Sequence, residues 1–516
     1  MTHTTENLLA EMAPHLPTPL LEMARAHLQA LEERLRLQRI AKYGPGSEKL
    51  SSAQFELLEQ EPGVSGEEVA AEAARPPQAE GGEPEPDSET KQRKRRAHPG
   101  RQTLPDGLPR VVAVVRCPAA ACVCAACGGE TAVIGHDESE RLEVKRAEYF
   151  VQVTRREKRA CASCHAGGVA TAPLPPAIIA KGIASDAIVI DTLIAKYGDH
   201  CPLYRQSAML ARDSGVAISR ATLDGWVMQV GESLRPLVEV MARELLAGDY
   251  IQADETPVGV QTHDRRGKNH QAYLWQYGRP GGSVVFGFRM GRGREGPKQF
   301  LGNYAGILQT DAYAGYNGVG GPGLVHAACW GHARRKFFDA VKLNPDDRRA
   351  IAAVAATDAL FALDRVAAEA GCDVLQRHER RRREAPALLQ DIREAAEVAG
   401  REALPASTLG GAARYILALW PRLTRFLDYP ALELSNNLAE NSMRPVALGR
   451  KNWIHLGGPQ AAPRIAAIQS VFETCRRLNI AVREYLAAVL PGLADRPLAC
   501  LPALTPAAWA VAHAPR

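Results

Sequence analysis

The stretch Gly248-Asp-Tyr-Ile-Gln-Ala-Asp-Glu-Thr-Pro257 decides how this chain is read. An apolar run closes on an acidic pair where a proline stops it, the pattern of a strand whose end carries chemistry. Side chains alternate faces along a strand, so Tyr250, Gln252 and Asp254 share one face and Ile251, Ala253 and Glu255 the other. Only one of the two acids can face a given site, and Asp254 is the first candidate. A second carboxylate, Asp311, ends the apolar run of Ile307-Leu-Gln-Thr-Asp-Ala-Tyr313, and a third, Glu440, lies in Ser435-Asn-Asn-Leu-Ala-Glu-Asn441. Three acids on separate elements form a candidate metal-ion site.

Between the first two acids, Ile251–Ala253, Tyr273–Tyr277, Val284–Phe288 and Ile307–Thr310 read as strands, with a turn at Arg279-Pro-Gly-Gly282. The first three make an antiparallel meander, and a fourth returning beside the first brings Asp311 next to Asp254, an α/β ribonuclease-H-like arrangement. After Asp311 the chain turns basic, with His332, Arg334, Arg335 and Lys336 in one cluster suited to phosphates. A helical insertion at about 340–430, including Arg380-Arg-Arg-Arg383, separates the second acid from the third. Glu440 is expected on a short helix that Ser435 or Asn436 caps and Pro445 limits, followed by a basic, strand-like cluster, Leu448-Gly-Arg-Lys-Asn-Trp453.

At 516 residues, the chain is too long for one core and should divide into about three or four domains. A net charge of +5 is compatible with nucleic acid without arguing for it. Because no apolar run approaches roughly 18 residues and the start lacks a signal-peptide pattern, a cytoplasmic protein is expected, nucleoid-associated when bound to DNA. Eleven cysteines in such a chain point to metal binding and buried thiols rather than disulfides. The expected divisions are an N-terminal helical or coiled-coil segment (1–61), a linker rich in Pro, Gly and charge (62–110), a zinc-binding domain (111–170), a helical region (171–245), the catalytic domain (246–455) and a C-terminal helical region and tail (456–516). The N-terminal helix, at 8–40, spaces Leu21, Ala24, Leu28, Leu31 and Leu35 three and four apart, which suits packing on its own domain or pairing with a second copy. The basic end of the linker, Lys91-Gln-Arg-Lys-Arg-Arg96, is either a solvated run or a phosphate contact.

Cys124-Ala-Ala-Cys127 and Cys161-Ala-Ser-Cys164 are two Cys-x-x-Cys knuckles able to hold one tetrahedral Zn²⁺. Cys117 and Cys122 lie close enough to complicate the ligand count, and Leu142 to Arg156 alternates in places like strands, as an inserted hairpin would. Further on, Tyr204 to Trp226 has the plan of a helix-turn-helix, with a turn at Gly215, an N-cap at Ser219 and a second helix carrying Arg220 and Trp226. Such a pair either contacts DNA or is plain structure.

Together these motifs resemble the DDE transposases of the insertion-sequence-66 family, in their large TnpC-type subunit. The most specific are Asp254-Glu-Thr-Pro257, Thr310-Asp-Ala-Tyr-Ala-Gly-Tyr316, Cys329-Trp-Gly-His-Ala-Arg-Arg-Lys-Phe337, and Asn436-Asn-Leu-Ala-Glu440 with Arg444-Pro445 and Gly449-Arg-Lys-Asn-Trp453. Tyr43-Gly-Pro-Gly46, His98-Pro-Gly-Arg101 and the cysteine pairs extend the resemblance over nearly the full length; Ser435 departs from it, where the family commonly has Asp. The resemblance implies that Asp254, Asp311 and Glu440 are catalytic acids holding two Mg²⁺ (or Mn²⁺) ions, with Asp254 bridging them. It implies an enzyme that frees a 3′-hydroxyl at each element end and joins it to target DNA, with Arg334, Arg335, Arg450 and Lys451 on the phosphate backbone. It further implies a structural Zn²⁺, assembly as a dimer or larger on paired DNA ends, and small accessory proteins. Two rivals remain: a metal-dependent nuclease without strand transfer, and a catalytically silent DNA-binding descendant.

A chelator strong enough to extract zinc is expected to expose residues 117–165 to protease; a cleavage pattern unchanged by the chelator would refute the finger.

Overall fold

A computed structural model describes residues 148–160, 169–180, 182–262, 269–404 and 406–513, with parts of 17–35. The chain divides into two units, Met1–Pro76 with Arg156–Arg516, and Pro77–Arg155. All six cysteines between 117 and 164 lie outside the described residues, as does the basic run at 91–96. Of the expected inserted hairpin, the described residues 148–156 carry no strand. The strands near the second cysteine pair are β1 (Lys158–Ala160) and β2 (Val169–Thr171), paired antiparallel. The described N-terminal residues from 18 to 35 are helical, with Leu21, Ala24 and Leu28 half-buried and Leu31 and Leu35 exposed.

Three helices follow: α1 (Asp186–Tyr197), α2 (Leu203–Ser214) and α3 (Arg220–Leu246). Gly215 ends α2 at φ 73°, a left-handed conformation that glycine adopts without steric cost, and the Ser219 hydroxyl accepts from Thr222 N to cap α3. The turn signals read from the sequence sit where they were placed, but α3 runs 27 residues and buries Trp226 among Leu223, Val227 and Val230. Trp226 is therefore a core residue, while Arg220 is exposed.

The sheet contains β3 (Tyr250–Val260), β4 (His270–Gly278), β5 (Val284–Arg289), β6 (Ile307–Thr310) and β7 (Val325–Ala328) in the order β5-β4-β3-β6-β7. The first three form the antiparallel meander; β6 lies parallel to β3 and β7 parallel to β6. Helix α4 (Glu295–Leu301) connects β5 to β6. Two expectations fail here. β7, four residues long, gave no strand signal beside the basic cluster that follows it. Pro257 does not end β3: β6 pairs with β3 only as far as Gln252, so beyond that point one edge of β3 has no ladder for a missing N–H to break.

One hydrophobic core joins α1–α3 to the face of the sheet carrying Ile251, Ala253 and Leu308, and to α10 (Ala462–Arg477) and α11 (Val482–Val489). Helix α10 crosses α3 so closely that a Cβ on Gly231 would lie 2.7 Å from Arg464 Cβ. It also closes the β5 edge, since Thr474 Oγ1 accepts from Val284 N (2.9 Å) and Ser470 Oγ from Phe286 N (2.8 Å). The expected C-terminal tail is packed rather than free: Leu501 is core, Tyr485 donates to Leu504 O, and α12 (Pro506–Ala512) follows.

A second core holds Tyr250 and Ile307 from the sheet together with α5 (Trp330–Leu343), α6 (Arg348–Glu369), α7 (Val374–Glu402) and α8 (Thr408–Leu423). Its ion pairs explain much of the basic sequence. Arg381 is buried with Asp364 and also donates to Leu432 O, while Arg377 holds Glu433 at 2.9 Å. Arg380 and Arg383 both pair with Glu384. No helix of the described residues is long and apolar enough to cross a membrane.

Arg381→Met leaves the largely buried Asp364 carboxylate uncompensated and is expected to cost about 3–5 kcal/mol, read as a lower denaturant midpoint.

Candidate active site

The register pairs Gln252 with Gln309, so Asp254 within β3 and Asp311 just past the end of the parallel β6 each follow two residues later. Each carboxylate is fixed by a backbone donor. Glu255 N donates to Asp254 Oδ1 at 2.8 Å, and Tyr313 N to Asp311 Oδ1 at 2.8 Å across a turn in which Ala312 takes φ 69°. Thr310 Oγ1 accepts from Ala312 N and meets His326 Nε2 at 2.9 Å; burial, with Arg422 nearby, pushes that imidazole down to about 4. Tyr415 donates to Asp311 O.

Glu440 comes from α9 (Asn437–Trp453). This helix corrects three expectations: it is neither short nor stopped by Pro445, it is not followed by a strand, and its N-cap Asn436 makes no side-chain capping bond. A proline inside a helix frees the carbonyl four residues earlier. Here that carbonyl, on Asn441, accepts from Arg476 Nη2 of α10 at 3.3 Å, so the helix continues to Trp453. The buried Asn436 instead turns its side-chain amide toward Ala253 O at 3.5 Å.

A buried amide network docks the segment before α9 onto the two strands. Gln252 Nε2 donates to Ser435 O (3.0 Å), and Gln309 Nε2 to Glu433 O (2.7 Å). Tyr250 bonds both glutamines, donating to Gln309 Oε1 and accepting from Gln252 Nε2. Trp330 N donates to Leu434 O, adding a backbone tie. Neither glutamine was singled out from the sequence, though the repeat Gln252-Ala-Asp254 and Gln309-Thr-Asp311 was a signal for them.

Electrostatics couple Asp254 to the other acids. Burial first, and then like-charge repulsion from Glu255, Glu440 and Asp311, hold the Asp254 carboxyl well above the usual range. Glu255 is raised by burial and opposed by Arg292, whose guanidinium lies 2.7 Å from Oε1, while Tyr316 donates to Oε2. Arg292 also stacks on Tyr313, 4.0 Å from its ring centroid. Arg292, Tyr313 and Tyr316 were missed as supports of the site, although both tyrosines stand in the motif around Asp311.

The expected phosphate contacts divide. Arg335, Lys336 and Lys451 are exposed. Arg450, half-buried, donates to Thr256 Oγ1 and Pro257 O, beside the first acid. Arg334 is a correction: 1% exposed and gripped by Asp358, it ties α5 to α6 and cannot reach DNA. His332 faces the acids, its Nδ1 3.3 Å from Glu440 Oε1.

Comparison with known proteins agrees with this architecture. The model of a family described as Transposase IS66 family matches residues 181–464, more than half of the chain. One described as zinc-finger binding domain of transposase IS66 matches 121–165, which spans both Cys-x-x-Cys pairs and Cys122 but not Cys117. A third, described as Transposase C of IS166 homeodomain, matches 30–112. Among curated relatives, the uncharacterized protein y4hP of Sinorhizobium fredii is 30% identical over 81% of this chain and 78% of its own length. The uncharacterized protein y4qI of the same organism is 30% identical over 72% of this chain and 70% of its own.

The raised Asp254 carboxyl sets a pH dependence. Its folded value exceeds its unfolded one, so between the two the native state binds more protons and stability falls as pH rises. Without divalent ions, Asp254→Asn should therefore raise the melting temperature at neutral pH, and Mg²⁺ should stabilise the wild type more than the variant. Equal Mg²⁺ shifts by calorimetry would remove Asp254 from the site.

Proposed function

The chain belongs to the IS66 transposase family, and we propose that it is the DNA transposase of an insertion sequence, with Asp254, Asp311 and Glu440 as its catalytic acids. One observation carries this reading: an aspartate within β3 and another just past the end of the parallel β6, each two residues beyond the paired Gln252 and Gln309, with a helix-borne glutamate whose charge bears on Asp254. The sheet order, a meander joined to two parallel strands, supports a ribonuclease-H-like catalytic core.

The residues fit hard divalent ions. All three donors are carboxylates, the ligands Mg²⁺ and Mn²⁺ prefer, and the mutual repulsion at Asp254 is what a cation relieves. When bound, a pair of such ions activates the attacking oxygen and stabilises the leaving one. The protein's part is positioning. Backbone N–H groups of Glu255 and Tyr313 orient the two aspartates, and the Gln252–Gln309 network fixes where α9 begins. Arg335, Lys336, Arg450 and Lys451 hold the phosphate backbone, Arg450 from α9 where its bonds to Thr256 and Pro257 of β3 fix it. Water attacks first and frees a 3′-hydroxyl at each element end; that hydroxyl then attacks a target phosphodiester and displaces its 3′ oxygen. Recognition of the ends falls to a zinc domain ligated by Cys124, Cys127, Cys161 and Cys164, and to the α2–α3 pair through Arg220. The enzyme works as a dimer or larger on paired ends, aided by accessory proteins.

Asp254→Asn should lower end cleavage at least about a thousandfold, several kcal/mol of lost transition-state stabilisation, while end binding by mobility shift changes little. With pre-cleaved ends, Mg²⁺ and a plasmid target, the wild type should give joined product. Cleavage without joining would reduce the protein to a nuclease.

A further inference from the structure

Among the described residues, one cluster beside the acids has donors that Mg²⁺ chemistry does not use. Cys329, His332 and Glu440 bring a thiol sulfur, an imidazole nitrogen and a carboxylate oxygen within 4.8 Å of one another. The Cys329 side chain is buried at the N-cap of α5, where its sulfur accepts from the backbone N–H of His332. The His332 contact measures 3.4 Å. A neutral thiol is a weak acceptor, and an N–H donor on sulfur is a supporting contact of metal-bound cysteine. His332 Nδ1 is buried and makes no hydrogen bond, although Glu440 Oε1 lies 3.3 Å away.

We propose that Cys329, His332 and Glu440 form a second metal site, selective for a borderline divalent ion of the zinc class, whose occupation removes Glu440 from the Mg²⁺ pair. Sulfur and imidazole nitrogen select against Mg²⁺ and for zinc, and three protein ligands leave a fourth position open. Binding is balanced by loss of the thiol proton to solvent: Cys329 S–H breaks, the S–metal bond forms, and one proton is released per ion. The inference rests on the transposase reading only in that Glu440 is shared; the binding itself does not require catalysis.

The test uses the full chain, with the Cys-x-x-Cys zinc as internal reference. Wild type is expected to take up one more equivalent of Zn²⁺ than Cys329→Ser or His332→Gln, and to show stronger Co²⁺–thiolate absorption than Cys329→Ser. Each variant should bind the second ion at least about tenfold more weakly. Glu440→Gln, at a half-exposed side chain that leaves the fold intact, should lose the same equivalent, whereas Asp254→Asn should keep it. Equal zinc content in wild type, Cys329→Ser and Glu440→Gln would overturn the site, as would its loss in Asp254→Asn. A wild type that binds the second zinc, yet cleaves no DNA with Mg²⁺ when that site is kept empty, would sink the transposase reading and leave this one standing.

Discussion

The arrangement depends on a few buried side-chain amides. Gln252 and Gln309 lie two residues before Asp254 and Asp311 and reach across to the backbone of Ser435 and Glu433, just ahead of the helix that bears the third acid. Register alone fixes Asp254 against Asp311; nothing local fixes Glu440, which arrives after four intervening helices. In a low-dielectric interior each of these amide bonds is costly to lose, about 1–3 kcal/mol for a single unmet partner, and Gln252 Oε1 is already a buried atom without one. Tyr250 completes the set by bonding both glutamines.

That docking separates the site from the material inserted between its parts. Helices α5 to α8 pack in their own core, and some of their arginines are taken up in internal pairs such as Arg334 with Asp358 and Arg381 with Asp364. The insertion can thus carry a strongly basic sequence and still present few free cations near the acids. The cations that do face solvent, Arg335 and Lys336, lie on the α5 turn nearest the site.

Much of the sheet was legible because period-two apolar runs and turn residues mark strands directly, and Asp311 stands just past the end of one of them. The Gly215 turn and the Ser219 cap were legible for the same reason: each encodes a local backbone state. What could not be read are outcomes of tertiary pairing. Pro257 and Pro445 look like terminators in sequence, yet one sits where a strand has lost a neighbour and the other where Arg476 supplies the missing hydrogen bond. Arg334 and Arg335 are adjacent and chemically identical, and only the helix face that each occupies buries one and exposes the other. The buried glutamines were overlooked because polar residues in a strand read as solvent-facing until their partners are known.

The brace that α10 provides has a bearing on how such elements decay. Every acid and nearly every signature of the family precedes Trp453, but the helices after it cover one face of the sheet, satisfy the outer edge of β5 and hold the Glu440 helix straight across its proline. A gene copy interrupted late would keep the full set of recognisable motifs while encoding a polypeptide unable to hold them together. Counting copies by their motifs therefore overstates how many can still mobilise, and the last sixty or so codons are the better indicator of a living element.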